Sequence, residues 1–302
     1  MNHKPLGQTG IAIPEIGLGT WGYHGGAEPL RAGLDAGALL IDTAESYGSE
    51  LVVGEAIEGR RDRVFVATKV SRNHLRRTEV LAAADESLRR LRTDWIDLYQ
   101  VHEPNAAVPL EETLGAMEDL VDAGKVRFIG VSNFSVPELE RARNSMRKYP
   151  IVSNQVRYNL ADRSIEGGLL AYCQAHEITV IAYSPLGREL QRLHDCDPRN
   201  VLAEVAGEVG KSVSQIVLNW CVSHEGVVAI PKGNSIEHVL ENCGASGWRL
   251  PAEQFRKLDE GILFHRRTEF NSALRRLLPA AATPFLKQCV RRLPPSLRRR
   301  LD

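Results

Sequence analysis

Eight short runs of apolar, largely β-branched residues recur along the chain, each followed by a longer segment with helical spacing. The runs occupy 16–22, 38–44, 64–70, 96–102, 126–133, 151–158, 179–185 and 227–233. They are continuously apolar rather than alternating, which is the pattern of parallel strands buried on both faces. The segments between them read as amphipathic helices. In 78–91, Val80, Leu81, Ala84, Leu88 and Leu91 fall on one face. Residues 110–121 repeat the pattern, and Gly124 follows as a stop signal. Ser135 opens another helix, with a proline and a glutamate in its first turn, and Ser212 or Ser214 opens the one through Leu218 and Trp220.

Eight strand–helix units in series, with no low-complexity linker, predict one α/β domain: a (β/α)8 TIM barrel over residues 1–265. A small N-terminal β-hairpin is predicted over 4–14, turning at Gln8-Thr9-Gly10, and helices over 235–242 and 251–260 complete the barrel. The alternative is a doubly wound sheet, which requires a glycine-rich phosphate loop after an early strand. Gly17, Gly19 and Gly22 have that spacing, but no acidic residue ends a second strand in the matching context.

A hydrophobic share of 43% supplies a normal core and excludes a disordered chain. No window approaches the run of about 18 apolar residues that a membrane span needs. The start, MNHKPLGQTG, is polar, so no secretory signal is expected. Cys173, Cys196, Cys221, Cys243 and Cys289 are scattered and form no C-x-x-C pair, so neither a disulfide framework nor a metal site is expected and a cytoplasmic location fits. The formal net charge is zero, yet residues 266–302 hold ten basic and two acidic residues, leaving 28 basic and 36 acidic residues in the body. The chain is thus an acidic barrel with a basic C-terminal extension.

In such a barrel, reactive groups sit at the C-terminal ends of strands and in the loops that follow. That rule selects Asp42 after the second run, Tyr47 in its loop, Lys69 at the end of the third and His102 at the end of the fourth. A lysine in an apolar strand end is costly unless a carboxylate pairs with it, and Asp42 is the nearest one available. Phenol, ammonium, carboxylate and imidazole together polarise a C=O group and give it a proton. In this scheme the ammonium lowers the phenol's pKa from about 10. The hydride must come from a cofactor, because no side chain supplies one.

These residues lie in segments that resemble the aldo-keto reductase family. Asp42-Thr-Ala-Glu-Ser-Tyr47-Gly-Ser-Glu50 is similar to that family's D-T-A-x-x-Y-G-x-E segment, and Asp97-Leu-Tyr-Gln-Val-His102 to its D-L-Y-x-x-H strand. The stretch from Gly124 through Gly130 and Asn133 is similar to its G-K-x-R-x-I-G-V-S-N-F segment. The resemblance spans about residues 4–260. It implies that Asp42, Tyr47, Lys69 and His102 form the catalytic tetrad, with Tyr47 as general acid. It also implies NADP(H) as cofactor. Ser132, Asn133 and Gln155 would bond the nicotinamide carboxamide, and Tyr183 would stack on the ring. Ser184, Pro185 and Leu186 would follow the pyrophosphate, while Gly19, Thr20 and Trp21 would approach the reacting end.

At the adenosine end, Lys232, Gly233 and Asn234 fall where the family grips the 2′-phosphate, and Glu241 and Asn242 where it reads the adenine. His238 stands where the family commonly has an arginine, so the multi-donor fork is missing and NAD(H) stays an alternative cofactor. Trp21, Tyr23, His24 and His74 are candidates to line the mouth. Residues 187–198 are too short for a long cofactor-clamping belt. The expected partner is a small-molecule carbonyl substrate, not nucleic acid. The basic extension is expected to pack on the acidic barrel, the alternative being contact with an anionic membrane surface. Two other functions stay open here: a cofactor-binding regulatory protein with little turnover, and a lyase using Lys69 as a Schiff-base nucleophile.

Overall fold

The computed structural model describes residues 1–187 and 190–264. The chain divides into two units, Met1–Phe264 and His265–Asp302, so the predicted basic extension, like Cys289, lies outside the described residues. A two-stranded antiparallel hairpin comes first, β1 (His3–Pro5) with β2 (Ala12–Pro14), in the register His3↔Pro14. Eight parallel strands follow: β3 (Leu18–Gly19), β4 (Leu40–Asp42), β5 (Phe65–Val70), β6 (Ile96–Val101), β7 (Val126–Ser132), β8 (Ile151–Arg157), β9 (Thr179–Tyr183) and β10 (Val227–Ala229). Their order in the sheet is their order in the chain. The ends meet. Ile16 bridges Ala229 in parallel, the Gly17 N–H donates to the Ala229 carbonyl at 2.8 Å, and the Gly19 N–H to that of Pro231 at 2.9 Å. The sheet is therefore a closed (β/α)8 barrel and not a doubly wound sheet.

Two of the three glycines that mimic a phosphate loop, Gly17 and Gly19, serve strand packing instead, and Gly22 takes a turn at φ 59°. A Cβ on Gly17 would lie 2.8 Å from Leu40 Cγ, and one on Gly19 2.5 Å from the Ile230 carbonyl oxygen. Of the first predicted run, Leu18 and Gly19 pair with β4 and Ile16 bridges Ala229, and the chain turns away after Gly19.

Helix ends follow the local chemistry. Ser135 caps Val136–Ser145 reciprocally with Glu138, and Ser212 caps Val213–Val222 with Gln215, each cap worth about 1 kcal/mol. Gly124, at φ 72°, takes the left-handed conformation after Leu110–Asp122. In the interior, side chains two apart along each strand form layers. Leu6 and Ile13 of the hairpin plug the bottom and belong to one cluster with Leu40, Ala67, Leu98, Ile181 and Val228. Moving two residues toward the C-terminal end of four of these strands reaches Asp42, Lys69, Gln100 and Tyr183. The apolar layer is thus the floor of a polar one.

Candidate active site

Asp42 and Lys69 are 2% and 0% exposed. Lys69 Nζ donates to Asp42 Oδ1 at 2.5 Å and to the Thr43 carbonyl at 2.7 Å. The ammonium also lies 4.9 Å from the centre of the Tyr47 ring. Tyr47 ends a single 3₁₀ turn, Glu45–Tyr47, whose chain reverses at Gly48 with φ 71°. Its hydroxyl is 3.5 Å from His102 Nε2, and the two rings meet edge to face at 78° with centroids 5.5 Å apart. The four residues selected by the strand-end rule are one contiguous cluster.

Its electrostatics differ from the expectation in one respect. The Tyr47 phenol is raised, not lowered: burial dominates, and Asp42, Tyr183 and Glu103 add to it. Lys69 does not outweigh these in the resting site, because its charge is largely balanced by Asp42 at contact distance. The phenol therefore keeps its proton, the state that a proton donor requires. His102 is pushed down to about 3 by burial and by the charge on Lys69, so its imidazole is neutral at ordinary pH. Lys69 is itself lowered by burial, against the opposing pull of Asp42. Both of its bonded partners are acceptors, which suits an ammonium and not a Schiff-base nucleophile.

Around the cluster, Thr20 donates its N–H and its hydroxyl to the Asp42 carbonyl, both at 3.0 Å. Trp21 is 55% exposed, with its ring centre 6.0 Å from Lys232 Nζ. The Asn133 amide donates to the His102 carbonyl at 3.1 Å and to Ser132 Oγ at 3.0 Å, and Asn133 Oδ1 accepts from the Tyr183 hydroxyl at 3.0 Å. Gln155 faces inward: its amide donates to Asp42 Oδ2 at 2.7 Å. The Ser184 carbonyl accepts from Asn159 at 2.9 Å, Pro185 is buried and Leu186 is half-buried.

The second group lies at the start of the helix Ile236–Cys243. Lys232 is exposed and donates to the Gly22 carbonyl at 3.2 Å, while Asn234 Oδ1 accepts from the His24 N–H at 3.2 Å. Gly233 packs under the helix, where a Cβ would be 2.8 Å from Val239 Cγ2. His238 is exposed and its N–H donates to Ser235 Oγ, the helix cap. Glu241 is half-buried, and the buried Asn242 reaches the Lys232 carbonyl at 3.5 Å.

Four features escaped the sequence reading. Gln100 gives Asp42 a further amide at 3.3 Å, although its place two residues before His102 would have marked it as inward-facing. Glu45 accepts from the Ser71 N–H and lies 3.1 Å from His74 Nδ1, fastening the turn that bears Tyr47. Asn159 holds the chain after Tyr183. Arg157 ends β8 in register with Tyr183, its guanidinium 5.8 Å from that ring. The strand-end rule would have picked out Arg157. Nothing in the sequence signals the Glu45–His74 contact.

A search of known families matches residues 15–262 to the aldo/keto reductase family. The chain belongs to the aldo/keto reductase family. Among relatives of this aldo/keto reductase, the methylglyoxal reductase YeaE of Escherichia coli (strain K12) is 38% identical over 261 residues, covering 83% of this chain and 91% of the relative. The glyoxal reductase of Bacillus subtilis (strain 168) is 35% identical over 256 residues, covering 83% and 89%. The crystal structure of an aldo/keto reductase from Klebsiella pneumoniae in complex with NADP and acetate superposes with a TM-score of 0.80 at 39% identity, covering 89% of this chain and 98% of that one.

Proposed function

We propose that this protein is an NADP(H)-dependent reductase of small aldehydes and ketones, with 2-oxoaldehydes such as methylglyoxal and glyoxal as its first candidate substrates. The observation that carries the reading is the buried Lys69–Asp42 pair beneath a protonated Tyr47, with a neutral His102 beside it. The names of the two relatives supply the substrate class, and the Klebsiella pneumoniae complex the cofactor.

The residues at the mouth fit a dinucleotide. Asn133 and Ser184, beyond the ends of β7 and β9, are at φ 62° and 50°, a left-handed conformation that asparagine tolerates and that is uncommon for serine. Both are tied down, Asn133 by Tyr183 and His102, and Ser184 by Asn159. In this reading Ser132 and Asn133 hold the carboxamide together with the side-chain oxygen of Gln155, whose N–H groups face Asp42 and Gln100, and Tyr183 presents its ring face to the nicotinamide. Ser184, Pro185 and Leu186 follow the diphosphate, with Gly19, Thr20 and Trp21 near the reacting end. Lys232, Gly233, Asn234 and His238 receive the 2′-phosphate, and Glu241 and Asn242 the adenine. When bound, the reduced nicotinamide supplies a hydride.

The chain's own residues do the rest. His102 orients the substrate carbonyl by a hydrogen bond from its neutral ring. Tyr47 gives its phenolic proton to the carbonyl oxygen as negative charge develops there. Lys69 stabilises the phenolate left behind, and Asp42 holds Lys69 in place and charged. The cytoplasm is the proposed location. It is supported by the free, buried thiols of Cys173, Cys196, Cys221 and Cys243, which suit a reducing compartment. Residues 1–265 are proposed as the catalytic barrel and residues 266–302 as its basic C-terminal extension. The test is NADPH consumption with a panel of 2-oxoaldehydes and simple aldehydes, with NADH in parallel. Turnover that requires NADPH supports the reading, and binding of NADPH without turnover on any member rejects it.

A further inference from the structure

Asp42, Gln100 and Gln155 come from β4, β6 and β8 and are 2%, 0% and 1% exposed. Asp42 Oδ1 belongs to Lys69. Its Oδ2 accepts two amides, from Gln155 at 2.7 Å and from Gln100 at 3.3 Å. Gln155 also donates to Gln100 Oε1 at 3.3 Å. A primary amide has two N–H bonds, so Gln155 uses one on Asp42 and one on Gln100. This fixes which way round Gln100 sits. Exchanging its oxygen and nitrogen would set its oxygen against the carboxylate and its N–H against that of Gln155. The three groups form a closed ring with one self-consistent orientation.

A carboxylate held only by Lys69 is free to turn about its Cβ–Cγ bond. With Oδ2 pinned by two amides, Oδ1 stays on the ammonium. The charged or titratable groups facing Lys69 are Asp42 from β4, Glu50 and Tyr47 from the segment after it, and His102 beyond β6. Of these, Asp42 alone bonds the ammonium among the described residues.

We propose that Gln100 is a positioning residue which, with Gln155, locks the Asp42 carboxylate so that Lys69 keeps its ammonium beneath Tyr47. Burial works against that ammonium, so a looser Asp42 lets it lose its proton at lower pH. Only the kinetic consequence rests on the proposed role of Tyr47.

The experiment uses the full chain with ¹⁵N-labelled lysine, the Lys69 signal being assigned with Lys69→Met, and compares wild type with Gln100→Leu. The Lys69 ammonium is expected to titrate about one pH unit lower in Gln100→Leu, the scale of one lost hydrogen bond to a charged group. In turnover, kcat is expected to fall by about tenfold, with the alkaline limb of the pH profile moved down by about one unit. Gln100→Met, unbranched and similar in length, replaces Gln100→Leu if the latter does not fold. A folded variant whose Lys69 titrates as in wild type overturns the proposal. If the wild type turns over no carbonyl substrate, the functional reading fails while the ¹⁵N titration still decides the role of Gln100.

Discussion

A lysine is drawn out of solvent at each end of the barrel, half-buried at the bottom and fully buried at the top. Lys4, in the hairpin that plugs the bottom, donates to three backbone carbonyls, those of Val222, His224 and Val227. Lys69, at the top, donates to one carbonyl and one carboxylate, and a phenol ring lies against it. Burial lowers both, Lys4 to about 8 with Glu15 opposing, and Lys69 with Asp42 opposing. The environments make the difference. At the bottom every donor is used on backbone, so the cation ties the hairpin to the start of β10 and the segment leading into it. At the top a carboxylate balances the charge and leaves one side toward a group that can lose a proton. Burial of a charge alone does not mark a catalytic site; what the charge faces does.

The largest effect that would break this contrast is at Tyr47. Tyr47→Phe removes the proton donor and leaves the buried pair in place, so kcat is expected to fall by about 10²- to 10⁴-fold while NADPH still binds. Steady-state kinetics with a cofactor titration check this, and near-wild-type turnover would remove Tyr47 as the acid. Next is Lys232. Lys232→Ala should weaken NADPH by about 10- to 150-fold and NADH little, since only NADPH carries the 2′-phosphate. Equal weakening of both cofactors would refute the placement of the phosphate. His238→Arg should tighten NADPH selectively by supplying a planar fork of donors.

The smallest effect is at His102, whose value is lowered from 6.5 to about 3. Reduction should therefore show no imidazole limb between about pH 5 and 8. For stability the sign is fixed as well. The unfolded chain takes up the proton near 6.5 and the native one only near 3, so this contribution is whole above 6.5 and is lost as pH falls toward 3. His102→Gln should flatten the acid side of a plot of unfolding free energy against pH, and an unchanged slope would contradict the assignment.

Much of the top of the barrel was legible from the sequence because strand-end chemistry is written locally. Asp42, Lys69 and His102 each close an apolar run, and the cluster they form with Tyr47 follows from the closed barrel. The bottom was not. Lys4 sits in a polar, turn-rich start with no periodicity to mark it as half-buried, and its partners are backbone carbonyls more than two hundred residues away. The direction of the Tyr47 shift was misread for a related reason. Neighbouring charge can be guessed from residue types, whereas burial, which outweighs it, is a property of the assembled barrel. Gln155 is expected at the carboxamide from the sequence, which does not show that its amide nitrogen is turned into the polar layer toward Asp42, an orientation set by Gln100 across the barrel that leaves its oxygen for that role.

The contrast between the two lysines is tested most directly by measuring kcat and thermal unfolding for Lys69→Met and Lys4→Met side by side. Lys69→Met should lose turnover by about 10²-fold or more, with some loss of stability because Asp42 is left buried without its counterion. Lys4→Met should lose about 1–3 kcal/mol of stability, from carbonyls left without donors, and keep kcat in the folded fraction. A Lys69→Met enzyme with wild-type kcat, or a stable Lys4→Met enzyme without turnover, would contradict the account.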